Sequence, residues 1–116
     1  MSYKSISSFT DRKNETTRIL EKYPDRIPII CEKNIYAKKN CPDIDKIKYL
    51  VPNDLTIGQF MYVIRKRLKI SCEYALFIFI NGYIPPSSEF IFNLYNKLKD
   101  NDGYLYVTYS FENTFG

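Results

Sequence analysis

ALFIFINGYIPPSS, residues 75–88, is the stretch on which the fold turns. Its apolar run, Tyr74 to Ile80, is too short to cross a membrane and reads as a buried strand. Asn81-Gly82 supplies the positive φ values of a type I′ turn, so the strand is expected to return through Tyr83 and Ile84 as a hairpin. Pro85-Pro86 then forces a loop. Ser87 or Ser88 is expected to cap a helix whose apolar positions are Ile91, Leu94, Tyr95 and Leu98.

Upstream lies LTIGQFMYVIRKRLKI (55–70), the clearest helix. Thr56 and Gln59 have capping-box spacing, and Ile57, Phe60, Met61, Ile64 and Leu68 form one stripe. Arg65, Lys66, Arg67 and Lys69 crowd its end, where the helix dipole favours cations. KIKYLVP (46–52) reads as a strand. The run from Ile27 to Glu32 reads as another, covered on both faces because Ile27, Ile29, Ile30 and Cys31 are nearly continuous. Pro28 inside it lacks a ladder donor, which predicts an edge or an opening at that point.

Residues 1–24 read as helical, with Thr10 and Asp11 as N-caps, Ile19, Leu20 and Tyr23 as an apolar stripe, and Pro24 as the stop. DNDG (100–103) turns the chain into a last strand, Tyr104 to Phe111. The order is helical preface, strand, strand, helix, strand pair, helix, strand. That pattern packs as a mixed sheet with helices against it, an α+β fold.

Composition narrows the function. The sequence has 116 residues and no histidine, so histidine-based nucleophile pairs and metal ligands are excluded. Cys31, Cys41 and Cys72 lack paired spacing and read as buried or incidental thiols. No phosphate-binding loop is present, and Asp43 and Asp45 read as bracketing a turn. The expectation is a protein that is not an enzyme, with no catalytic residues, metal or cofactor. The opening, MSYKSISSF, lacks the apolar stretch of a secretory signal, which predicts a cytoplasmic protein. The net charge of +4 favours acidic partners without choosing among peptide, lipid and nucleic acid.

DGYLYVTY (102–109) partly matches the RNA-recognition signature, in which strand aromatics stack on bases. Asp102 puts an anion where that signature has a cation, and Leu105 replaces its small residue. Too few residues follow Tyr109 for the helix and strand that come next in such domains. An RNA-binding domain is therefore the alternative, and nucleic acid is not an expected partner.

Taken in order, KYPDRIPIICEK, DIDKIKYLVPNDLTIGQF, IRKRLKI, ALFIFINGYIPPSS, DGYLYVTYS and the closing aromatic-Gly resemble the autophagy-related ubiquitin-like modifiers, the autophagy-related protein 8 family that includes microtubule-associated protein light chain three. The closer resemblance is to the GABARAP branch. The resemblance implies a ubiquitin-like β-grasp with a four-stranded mixed sheet and two additional N-terminal helices. It divides the chain into a helical extension, 1–24, packed on a ubiquitin-like domain, 25–116.

The resemblance also implies two activities. One is conjugation of Gly116, with Phe115 before it, to phosphatidylethanolamine. A residue without Cβ suits the narrow channels through which an activated tail must thread. The other is recognition of short aromatic-x-x-aliphatic motifs flanked by acidic residues. The implied aromatic pocket comprises Glu15, Ile19, Pro28, Lys48, Leu50 and Tyr104. The aliphatic pocket comprises Tyr49, Val51, Pro52, Leu55, Phe60 and Val63; Leu50, Val51 and above all Phe60 also read as core. Arg26, Lys46, Lys48 and Arg67 would meet the acidic flanks, and the segment Lys48 to Leu50 would offer a strand edge.

Tyr104 stands where relatives more often carry Phe, and NIYAKKNCP (34–42) is about two residues longer than in the GABARAP branch. Phe77 and Phe79 match a second family surface, used by processing enzymes, and equally match a buried strand. The implied partners are ubiquitin-like activating and conjugating enzymes, a processing and delipidating cysteine protease, and motif-bearing cargo receptors. The protein is expected to be a monomer in solution, cytoplasmic when free. When lipidated it is expected on the autophagosome membrane or another organelle membrane such as the vacuole or plastid. An unconjugated ubiquitin-like adaptor is a further alternative.

Overall fold

The computed structural model describes residues 2–113. In chain order the elements are α1 (Tyr3–Ile6), α2 (Phe9–Lys22), β1 (Arg26–Lys33), β2 (Lys48–Pro52), α3 (Ile57–Leu68), β3 (Tyr74–Phe79), α4 (Ile91–Leu98) and β4 (Leu105–Asn113). The strands form one sheet in the order β2-β1-β4-β3. β1 runs parallel to β4 and antiparallel to β2, while β3 and β4 are antiparallel, so the sheet is mixed. This is the ubiquitin-like α+β arrangement, with two helices ahead of it.

The strand alternation sorts side chains onto two faces. One face carries Ile27, Ile29, Tyr49, Val51, Ile78, Leu105, Val107 and Tyr109, packed with Ile57, Phe60 and Ile64 of α3 and Ile91 and Leu94 of α4. This is the main core. The other face holds a smaller cluster, Tyr3, Ile30 and Tyr104, with Ile47 and Tyr106 against it. β1 is buried on both faces from Ile27 to Cys31, as its continuous apolar run requires.

Pro28 does not mark an edge strand. Cys31 donates its N–H to Ile47 O at 2.8 Å on the β2 side, and strand amides alternate in direction, so the Pro28 nitrogen faces the other way. On that side β4 pairing begins only at Ile29↔Leu105. The missing donor therefore lies on the β4 side, one residue before that pairing starts, and Pro28 itself is buried.

α3 forms as its caps direct. Thr56 and Gln59 make both bonds of the capping box, and Lys69 ends the helix in the left-handed region with φ 56°. The N-terminal caps differ from expectation. Ser8, not Thr10 or Asp11, caps α2 by accepting the Asp11 N–H, because Ser8 holds extended dihedrals while Thr10 and Asp11 are already helical.

The turn at Asn81-Gly82 has φ 51° and 77°, as a type I′ turn requires. The returning arm, however, is a single bridge, Ile80↔Tyr83. Pro85 and Pro86 stop it, leaving Tyr83 and Ile84 exposed. Ser87 and Ser88 do not cap α4, whose N-cap is Phe90 without a side-chain bond. The segment instead docks on α3: Ser87 O accepts the Gly58 N–H and Glu89 O accepts the Ile57 N–H, both at 2.9 Å. Two unpaired amides at a helix start are satisfied there by loop carbonyls. Among the described residues, no helix is long and apolar enough to cross a membrane, and no cluster could hold a metal ion.

Candidate functional site

β2 is an edge strand, so one side of Lys48–Pro52 presents unpaired backbone groups. Apart from Pro52, which strand alternation puts on the Lys48 and Leu50 side, the residues assigned to the two pockets flank this edge on opposite faces. Lys48 and Leu50 point to the face that carries α1 and α2. Tyr49 and Val51 point to the α3 side, consistent with their membership of the main core.

On the first face, Glu15 of α2 is the hub. Its carboxylate accepts the Tyr3 hydroxyl at 3.0 Å and the Tyr104 hydroxyl, and it pairs with Lys48 at 3.0 Å. Lys48 Nζ also lies 4.8 Å from the centre of the Tyr3 ring. Burial lowers the Lys48 pKa, but the bonds with Tyr3 and Glu15 outweigh it and hold the ammonium above its ordinary value. Pro28 is buried opposite Leu50, and Ile19 and Leu50 remain half-buried.

Tyr3 was not among the sequence candidates. It is 6% exposed, donates its N–H to Glu32 at 2.7 Å and meets Tyr104 edge to face with centroids 5.8 Å apart. No local pattern near Tyr3 predicts this, because its contacts come from residues 12 to 101 positions away. Arg12 was missed for the same reason. It joins α2 to the turn before β4 through a buried pair, Nε to Asp102 Oδ2 at 2.8 Å. Tyr106 also donates its hydroxyl to Asp102.

On the α3 side, Tyr49, Val51 and Phe60 are buried in the core. Phe60 is fully buried and packs within the main core cluster. Of the other residues assigned to the aliphatic pocket, Pro52 and Val63 are exposed and Leu55 is half-buried. Burial raises the Tyr49 phenol to about 12.

The flanking cations are partly engaged within the chain. Arg67 holds Asp45 through two bonds of 3.1 Å, which lowers the Asp45 pKa. Lys46 Nζ sits 5.3 Å from the Tyr49 ring centre, and Arg26 is exposed. Asp45 and Glu15 thus already hold two of the four cations assigned to the acidic flanks, Arg67 and Lys48.

Phe77 and Phe79 are half-buried on the face of β3 opposite Leu76 and Ile78. The aromatics around β4 are engaged within the chain, the half-buried Tyr106 through Asp102 and Lys4. Tyr104 is 2% exposed beneath Tyr3, and Tyr109 is fully buried. Residues 114–116, and with them Phe115 and Gly116, lie outside the described residues.

Residues 11–116 match the family model described as "Autophagy protein Atg8 ubiquitin like". The chain belongs to the Atg8 family. It is 57% identical to Autophagy-related protein 8e of Arabidopsis thaliana over 114 residues, covering 98% of this chain and 92% of that protein. Autophagy-related protein 8 of Schizosaccharomyces pombe is likewise 57% identical, over 98% of this chain and 93% of its own length. The crystal structure of Trypanosoma brucei ATG8 superposes with a TM-score of 0.90 at 44% identity, covering 100% of this chain and 98% of that one. Plasmodium falciparum Atg8, solved in complex with a Plasmodium falciparum Atg3 peptide, gives 0.85 at 34% identity with 95% of each chain covered. This Atg8-family chain is thus an autophagy-related ubiquitin-like modifier.

Proposed function

We propose that the chain is conjugated through Gly116 to phosphatidylethanolamine and, on the membrane, recruits proteins bearing acidic aromatic-x-x-aliphatic motifs. It acts as a carrier and docking platform, not as an enzyme. Activating and conjugating enzymes load its C-terminal carboxylate, a cysteine protease processes or releases it, and cargo receptors bind the β2 edge. The Atg3 peptide bound by the Plasmodium relative supports a conjugating-enzyme partner. The free form is cytoplasmic and the lipidated form sits on autophagosomal membrane.

One observation carries the motif reading: with the exception of Pro52 at the strand end, the two residue sets lie on opposite faces of an open edge strand. A peptide added to that edge is extended, and its side chains alternate. Residues three apart then point to opposite faces. An aromatic anchor at one position and an aliphatic anchor three later would reach the Glu15–Leu50 face and the Leu55–Val63 face respectively. A spacing of two or four would send both to the same side.

The deciding experiment is a lipidation assay with the cognate activating and conjugating enzymes and phosphatidylethanolamine liposomes. The intact chain should shift on a gel and carry the lipid by mass spectrometry. No product under conditions that lipidate a relative would overturn the reading.

A further inference from the structure

One end of the sheet gathers the charge of the whole chain. β1 and β4 both finish there, β3 starts there with Tyr74 opposite Asn113, and α3 delivers its C-terminus there. Arg65 of α3 donates to Tyr74 O at 2.9 Å. The loop after β1 folds onto the end of β4. Asn34 donates its N–H to Tyr109 O at 2.8 Å, Lys38 Nζ lies 3.4 Å from Glu112, and the Tyr109 hydroxyl reaches Pro42 O at 2.7 Å.

Segments 33–46, 65–73 and 112–113 hold eight Lys or Arg against four Asp or Glu, a surplus that equals the +4 of the full chain, so the remainder is neutral. Three of the acids pair within this end, Asp43 with Lys33, Asp45 with Arg67 and Glu112 with Lys38. Lys39, Lys46, Arg65, Lys66 and Lys69 are the further cations of this end. From the same end project Ile35 and Tyr36, 86% and 88% exposed, against 62% for Ile6, the next most exposed large apolar residue among those described. Gly116 follows Asn113 by three residues, so chain length alone keeps it within roughly 11 Å of the end of β4.

We propose that this basic end, led by Ile35 and Tyr36, seats on an anionic phospholipid bilayer when the chain is tethered there. The proposal rests on the conjugation reading above, which puts the tether beside it. An exposed apolar pair on a projecting loop, ringed by cations, has the composition of a surface that dips into the headgroup layer. The tether raises the local lipid concentration, so an attraction too weak to hold the free protein suffices for the conjugated one. Screening confines it to about 8 Å at physiological salt, the distance over which the lysines act.

The chain contains no tryptophan, so Tyr36→Trp reports on this tip alone. The test couples that variant, with Cys72→Ser and Gly116→Cys, to a maleimide lipid. Cys31 and Cys41 are buried and Cys72 is the exposed thiol. The vesicles contain phosphatidylcholine and phosphatidylserine with brominated acyl chains. Emission should fall by roughly half, as for a ring about 5–10 Å into the interface. Tyr83→Trp, beyond β3 at the opposite end, should stay unquenched. Adding Lys38→Glu and Lys39→Glu, or removing phosphatidylserine, should cut the quenching at least about twofold. Emission unchanged on anionic vesicles, or equal quenching of the Tyr83→Trp variant, overturns the proposal and leaves the loop to a protein partner. The chemical tether needs no enzymes, so this outcome is independent of whether the unsubstituted chain is lipidated enzymatically.

Discussion

Tyr49 of β2 meets Phe60 of α3 edge to face, with ring centroids 5.7 Å apart and both rings buried. The contact ties the docking strand to the core, so the two faces of β2 differ in what a substitution does. Tyr49→Ala removes a core ring and should destabilise the fold by about 3–4 kcal/mol, lowering the urea midpoint as well as peptide affinity. The Tyr49 hydroxyl is buried without a hydrogen-bond partner. Tyr49→Phe should therefore be neutral or stabilising by about 1 kcal/mol. A Tyr49→Phe protein less stable than the parent would contradict this account.

Leu50, half-buried on the other face, is the better probe of binding. An acidic peptide with Trp-x-x-Leu should bind with a Kd of order ~1 μM. Leu50→Ala should weaken it about tenfold while leaving the unfolding free energy within roughly 1 kcal/mol of the parent. A control peptide with the anchors two residues apart should bind much more weakly, since both would face one side. Isothermal titration of the three combinations checks the geometry, and equal affinity for the two spacings would refute it.

Gly116 should be required for every covalent product. Its deletion should abolish lipidation in the reconstituted assay and leave peptide binding intact, because the docking residues all lie between 15 and 104. Substituting the three cysteines should not prevent conjugation, since the carboxylate is the group activated. A lipid adduct on the Gly116-deleted protein, seen by mass spectrometry, would defeat the modifier mechanism.

Gly103 has φ +91°, and a Cβ there would collide with the Thr16 side chain. Thr16 also donates its hydroxyl to Asp102 O, so neither neighbour can move freely. Gly103→Ala should cost at least about 2 kcal/mol through overpacking and backbone strain. Amide exchange should show α2 loosened from the sheet before the main core opens.

Alkaline pH should unfold the protein early. Burial raises the pKa of Tyr49 to about 12, and burial also raises those of Cys31, Tyr106 and Tyr109. Below pH 9 both states keep these protons and the groups add no pH dependence. As pH rises past their unfolded values, near 9 for the thiol and 10 for the phenols, the unfolded chain releases protons that the folded chain retains. Stability then falls with pH. Urea midpoints should be flat with respect to these groups from pH 7 to 8.5 and decline from about pH 9 upward. A midpoint that is unchanged at pH 11 would show that these groups are not held protonated in the native state.

What the sequence determined by itself is local. The α3 capping box, its apolar stripe, the Asn81-Gly82 turn and the two-sided burial of β1 follow from dihedral preference and periodicity within a few residues, and all are legible in the linear order. Where a local signal met a stronger neighbour it failed: Pro85 and Pro86 cut the returning arm to one bridge, and the Ser87 and Glu89 carbonyls were drawn to the open amides of α3. Only the tertiary structure decided the rest. It set Tyr3 against Glu15 and Tyr104, paired Arg12 with Asp102, divided the pocket residues between two faces of β2, and collected the basic residues at one end. Those relations join residues tens of positions apart, and they exist only once hydrophobic burial has paired β1 with β4 and brought distant side chains within bonding distance.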